Sequence, residues 1–232
     1  MRGSSRREPK LICFTGMDGV GKTTLAKYLV ETMRENSIQY KYVYGRLKPL
    51  ILKPFIMIGR KTLLRGKDMF ENYKGYSIKK RDIIKQHPLL FTLYKYLLLF
   101  DYSLQLLFKV KLPYLFGKKL VCDRYVYDTV ITDLSVDMNL STSEIRGLIK
   151  RLFYIAPKPD LVFLIDLPEV IAFQRKDDIP SIEYLKKIRN IYLSIGREEK
   201  MIILDGSKDL TKLKDMIQKQ LKQHDELGGD IE

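Results

Sequence analysis

The segment that most constrains this chain is Gly16-Met17-Asp18-Gly19-Val20-Gly21-Lys22-Thr23, which fits the pattern G-x-x-x-x-G-K-[ST]. Its flanks matter as much as its letters. Before it runs the apolar stretch Lys10–Thr15 (KLICFT), the composition of a buried strand. After it, Leu25, Tyr28, Leu29 and Met33 fall at helical spacing within Lys22–Glu35. A strand, a glycine loop and a helix in that order make a phosphate cradle. The glycines let successive backbone N–H groups turn inward, and the helix N-terminus adds partial positive charge. In such a loop Lys22 reaches the terminal phosphates and the Thr23 hydroxyl ligates Mg²⁺. A plain glycine turn would leave the Lys-Thr pair without a reason. Asp18 sharpens the picture, because a carboxylate inside a phosphate cradle is costly unless a metal or a substrate hydroxyl engages it.

The remainder of the chain repeats the same alternation. Strands are expected at Gln39–Tyr44, Lys119–Cys122, Leu161–Leu167 and Lys200–Asp205, with helices at Leu89–Phe108, Ser143–Tyr154, Ile182–Ser194 and Leu210–Lys222. Alternating strands and helices point to a parallel sheet covered on both faces. No internal repeat or Pro/Gly/Ser-rich linker divides the chain, so residues 10–222 are expected to form one domain between a basic tail, 1–9, and a C-terminal tail, 223–232. The segment Leu47–His87 has no clear period. It suits a crossover or a segment that covers a substrate.

Charge and composition narrow the function. Lys and Arg number 42 against 28 Asp and Glu, a formal net charge of +14. Such a field attracts phosphate groups of any kind, without saying which. No zinc finger, basic zipper or RNP-like segment accompanies it, so no specific nucleic-acid partner is expected. Two cysteines and two histidines exclude a disulfide scaffold and disfavour a thiolate or histidine metal centre. Cys13 and Cys122 both fall in expected central strands and suit reduced core thiols. Met1–Pro9 has no apolar core of the secretory type. The apolar run Leu89–Phe108 is interrupted by Lys95, Asp101 and Gln105, which suits a buried or interfacial helix rather than a membrane span. His224–Leu227 is an internal run and no retention signal. A cytoplasmic location is expected.

Phe14–Thr24, with Asp18 and the second threonine Thr24, resembles the opening of the thymidylate kinases. Further matches follow in order. They are Asp123-Arg124-Tyr125 after its strand, Pro159-Asp160-Leu161, Arg175-Lys176 at a helix end where the family has its lid, Ile188-Arg189-Asn190-Ile191-Tyr192, and Ile203-Leu204-Asp205-Gly206. Arg46 follows the second strand, where the family places an arginine on the acceptor phosphate. The resemblance, which spans residues 10–222, implies a P-loop three-layer α/β/α fold with a five-stranded parallel sheet. It implies transfer of phosphate from Mg²⁺-ATP to a nucleoside monophosphate, with dTMP foremost. Gly16, Met17, Asp18, Gly19, Val20, Gly21, Lys22, Thr23 and Thr24 would bind ATP. Arg46, Arg124, Tyr125 and Asp18 would bind the acceptor, and Thr23 and Asp123 would hold the metal. Lys22, Arg124, Arg175 and Asp18 would act in catalysis. With glycine at position 19, the family's basic catalytic help comes from the lid, which favours Arg175. A structural Asp123–Arg124 pair and a solvated charged face at Arg175-Lys176 are the plainer alternatives.

Departures cluster on the acceptor side. The lid between Arg175 and Glu183 is short and poor in arginine, and Phe100–Gln105 lacks the arginine used near the base. Asp128 stands where a serine is usual, and Ile131-Thr132-Asp133 replaces Ala-Tyr-Gln. The chain is therefore read as a divergent member of the family. Another small acceptor, such as a nucleoside or a sugar-like molecule, stays open, as does a nucleotide-binding scaffold on a membrane surface. A homodimer is an allowed assembly.

Overall fold

In the computed structural model, residues 8–50, 88–135, 140–175 and 181–227 are described. Most of Leu47–His87, residues 136–139, residues 176–180 of the expected lid, most of the N-terminal tail and residues 228–232 lie outside them. The central strand β1 (Leu11–Gly16) sets the architecture. Successive residues of a strand face opposite sides of its sheet. Leu11, Ile12, Cys13 and Phe14 are all fully buried, so both faces are covered. Helix α1 (Lys22–Glu35) follows, then β2 (Tyr40–Tyr44). Helix α2 (Pro88–Leu106) passes through a π-helical turn (Leu107–Lys111) into the short α3 (Leu112–Leu115). Strand β3 (Lys119–Asp123) leads into the one-turn α4 (Val126–Asp128) and a second π-helical segment, Thr129–Leu134. The chain continues with α5 (Thr142–Ile155), β4 (Leu161–Asp166), α6 (Glu169–Gln174), α7 (Ile182–Glu198), β5 (Ile202–Asp205) and α8 (Leu210–Leu227).

The five strands form one parallel sheet in the order β2-β3-β1-β4-β5. Phe14 pairs in register with Phe163, and their rings stack at 5.2 Å between centroids. Cys13 and Cys122 face each other across β1 and β3 as buried free thiols. Strand order reverses at β1, between β3 and β4, and the crevice beyond the C-terminal ends at such a point is where an open parallel sheet binds ligands. Gly16, Asp123, Asp166 and the residues after Tyr44 all meet that edge.

Helix α2 packs only one face against the core. Leu98, Tyr102 and Leu106 are buried at four-residue spacing, while Leu93, Tyr96 and Phe100 are exposed. The polar residues that interrupt the apolar run serve the neighbouring loop. The buried Asp101 accepts from Leu50 N at 2.9 Å and from Gln105 Nε2 at 3.0 Å. Gln105 Nε2 also reaches Lys48 O at 2.8 Å, and Tyr102 OH donates to Gly45 O at 3.0 Å. These bonds fix the path from β2 past Arg46. No helix among the described residues is long and apolar enough to cross a membrane. Helix α8 runs on to Leu227, so the expected C-terminal tail begins as helix.

Candidate active site

The glycine loop is shaped by positions that tolerate no side chain. Gly16 has φ +139°, and a Cβ there would lie 2.5 Å from Ile165 O. Gly19 has φ +84°, and a Cβ there would lie 2.7 Å from Ala172 O, so the loop is seated directly on α6. Met17 and Val20 point into the core, leaving the loop's backbone as its polar surface. Helix α1 opens from Gly21 with no side-chain cap, so its first N–H groups are left for a ligand.

Lys22 is 3% exposed and lies beneath this loop. Its Nζ donates to Gly16 O at 2.7 Å and Met17 O at 2.6 Å, with Asp128 Oδ1 at 3.7 Å and Asp18 Oδ1 at 4.0 Å. Burial draws its pKa down to about 8, against the pull of Asp128. Asp128 is itself fully buried and accepts from Thr15 Oγ1 at 2.7 Å and Tyr192 OH at 3.1 Å. Burial raises its pKa even though Lys22 and Arg124 oppose the shift. Each member of the pair is thus pushed toward its neutral form.

On the other side of the loop, two guanidiniums converge on Asp18. Arg124 Nη2 lies 2.6 Å from Asp18 Oδ1, and Arg46 Nη1 lies 3.5 Å from Asp18 Oδ2. Burial opposes ionisation of Asp18, but Lys22, Arg124 and Arg46 outweigh it and hold the carboxyl well below the usual range. Arg124 takes a left-handed backbone, φ 64°, directly after β3. Its Nε and Nη1 are buried and have no hydrogen-bond partner among the described residues. Unpartnered buried guanidinium donors are costly, and a bidentate anion would satisfy them. Arg46 is gripped from behind by Asp133, through Nε at 3.1 and 3.0 Å and Nη2 at 2.5 Å.

Thr23 Oγ1 and Tyr42 OH both donate to Asp123 Oδ2 at 2.6 Å. Asp123 Oδ1 is buried and unpartnered among the described residues. A hydroxyl beside a carboxylate with a free buried oxygen is a donor set suited to a hard, oxygen-seeking cation.

The structure therefore gathers the loop from Gly16 to Thr24 with Arg46, Asp123 and Arg124. Tyr125 departs from the expectation. Its ring is fully buried and its hydroxyl donates to Pro157 O at 3.0 Å, so it packs in the core instead of edging an acceptor. Arg175 stands exposed at the end of α6, and no hydrogen bond or ion pair joins it to this cluster among the described residues. Lys176 lies outside those residues. Arg189 is a tie between elements, bonded to Asp166 at 2.7 and 2.9 Å and to Glu169 at 2.8 Å. The partners Tyr42, Thr15, Tyr192 and Asp133 carried no role in the sequence reading. The one available signal was the departure at Asp128 and Asp133. These residues are five apart, and the i→i+5 bonding of the π-helical segment lets both serve cations of the site.

A central parallel strand that delivers a lysine-bearing glycine loop to paired arginines defines a nucleotide-binding α/β protein of the phosphoryl-transfer class. A sequence model of the family described as "Thymidylate kinase" matches residues 79–217, more than half of the chain. The chain belongs to the thymidylate kinase family, whose members are ATP-using nucleoside monophosphate kinases. A probable thymidylate kinase of Archaeoglobus fulgidus is 25% identical over 225 residues, covering 91% of this chain and 94% of that protein. One from Methanocaldococcus jannaschii is 28% identical, with 85% and 87% covered. A thymidylate kinase of Plasmodium falciparum is 25% identical, with 93% and 91% covered.

Proposed function

We propose that this protein transfers the γ-phosphoryl group of ATP to dTMP, forming dTDP and ADP. The observation that carries the reading is the meeting of Arg124, with two buried unpartnered nitrogens, and Arg46 beside the Lys22 loop. One group of donors suits the phosphates of a nucleotide and the other suits the phosphate of an acceptor. In this reading an oxygen of the acceptor phosphate attacks the γ-phosphorus in line, the bond to the β–γ bridging oxygen breaks, and ADP leaves with that electron pair. The attacking oxygen is already ionised, so no general base is required.

The protein's part is to orient the two phosphates and to match the charge that spreads over the transferring group. Lys22 shifts from the Gly16 and Met17 carbonyls onto the β/γ-phosphates. Arg124 spans donor and acceptor phosphates, and Arg46 holds the acceptor. Arg175 comes in from the lid, and Asp18 takes a hydroxyl of the acceptor once a phosphate has claimed its arginines. Thr23 and Asp123 would hold Mg²⁺, which would offset the charge of the nucleotide's phosphates.

The test is ATP consumption with dTMP, dUMP, dCMP, dGMP and thymidine. Turnover with dTMP above the other acceptors is expected. Faster phosphorylation of thymidine than of every monophosphate would replace this reading with a nucleoside kinase. Inactivity across the panel would leave a different phosphorylated acceptor, a reading favoured by the engagement of Asp101 and Gln105 in structural bonds where the family uses an arginine near the base.

A further inference from the structure

Asp133 is bound to the acceptor side of the site and has no part in the chemistry above. It meets Arg46 side-on, taking Nε and one edge of Nη2, which leaves Nη1 and the outer edge of Nη2 directed elsewhere. Nη1 is the atom that faces Asp18 alongside Arg124. The two partners ride on one unit, because Leu47 N, next to Arg46, donates to Thr129 Oγ1 at 3.0 Å on the π-helical segment that carries Asp133. Arg46 and Asp133 are each about a quarter exposed, at 23% and 24%, and the contact through Nε and Nη2 is bidentate, so it selects one orientation of the guanidinium. Its geometry is therefore the informative part.

We propose that Asp133 is a positioning residue of the acceptor site, fixing Arg46 so that its free edge joins Arg124 in binding the acceptor's phosphate. The proposal rests on the monophosphate-kinase reading. Among the described residues, the other carboxylate within reach of Arg46 is Asp18. Without Asp133, the guanidinium closes onto Asp18 and is lost to an incoming phosphate. An opposite effect competes, since the charge of Asp133 repels an anion. Asp133→Asn separates the two, because it removes the charge but keeps an oxygen for Arg46.

The experiment measures calorimetric binding of dTMP, thymidine and ATP to the full chain and to Asp133→Ala, Asp133→Asn, Arg46→Ala and the Arg46→Ala/Asp133→Ala double variant. Asp133→Ala should weaken dTMP about tenfold and leave thymidine and ATP unchanged. Asp133→Asn should fall between it and the parent, and carries the test if the alanine variant does not fold. The double variant should bind dTMP no more weakly than Arg46→Ala alone, because Asp133 acts through Arg46. The proposal is overturned by dTMP binding that is unchanged or tighter in either Asp133 variant, by equal losses for thymidine, or by additive losses in the double variant. A parallel measurement of melting temperature in inorganic phosphate against chloride, at matched ionic strength, separates this proposal from the choice of acceptor. If the parent protein ignores dTMP but gains stability from phosphate, and Arg46→Ala and Asp133→Ala both lose that gain, the dTMP reading falls and the role of Asp133 stands. No response to either probe overturns both.

Discussion

Lys22 and Asp128 form a buried pair in which neither partner is comfortable in its charged form. Removing the lysine tests its use. Lys22→Ala should keep far-UV circular dichroism like that of the parent while turnover falls about 10²–10³-fold, the usual cost of losing one preorganised charge at a reacting group. Undiminished transfer in the folded variant would end the assignment of the loop. The carboxylate gives a pH signature. Burial raises the folded pKa of Asp128 above its ordinary value, with Lys22 and Arg124 opposing. Between the ordinary carboxyl value of about 3.9 and that raised value, the folded state keeps a proton that the unfolded state has released. Stability therefore declines as pH rises through this window. Asp128→Asn has no such proton to lose. The melting temperature of the parent minus that of Asp128→Asn should fall as pH climbs from about 4 to 7. A difference that stays level or grows would show that Asp128 ionises in the fold at least as readily as in water.

At the scale of elements, α6 links the phosphate loop to Arg175, where the lid is expected to begin. Its Ala172 carbonyl supports Gly19, its first residue Glu169 is bound by Arg189 of α7, and its last turn ends at Arg175. Arg189→Ala should cost about 1 kcal/mol of unfolding free energy, read from denaturant midpoints, because it releases Asp166 and Glu169 together. Arg175→Ala should instead leave the midpoint unchanged and lower kcat more than it weakens ATP binding, since a lid cation acts on charge that develops during transfer. A lowered midpoint with intact kcat for Arg175→Ala would reverse these roles. The element scale is also where the sequence was most and least legible. Strands β1, β3 and β4 were plain because strands buried on both faces are continuous apolar runs, and Lys22 was plain because the loop's chemistry demands it, whereas Asp123 and Arg124 were picked out by the resemblance to the family's Asp-Arg-aromatic motif. Asp133 was opaque, because its meaning depends on a π-helical turn that no helical period announces. The resemblance placed Tyr125 with the acceptor, whereas after the left-handed backbone at Arg124 its ring lies in the core.

Taken whole, the molecule carries +14, yet the site does not share that excess. Around the loop, the cations Lys22, Arg46 and Arg124 stand beside the carboxylates Asp18, Asp123, Asp128 and Asp133. The surplus positive charge must therefore belong to the rest of the chain. Its effect on a ligand is long-range attraction, whereas the site's own cations act only at contact distance, after their carboxylates have yielded. Long-range attraction is sensitive to salt, because the screening length shrinks from about 10 Å at 0.1 M to about 3 Å at 1 M ionic strength. Stopped-flow association rates should separate the two ranges. The rate for ATP should fall steeply between roughly 0.05 and 0.5 M KCl, the rate for dTMP should fall less because it carries less charge, and the rate for thymidine should stay level. Equal slopes for all three ligands would mean that salt acts on the protein's shape. A level slope for ATP would mean that the basic surface faces away from the site and serves some other anion.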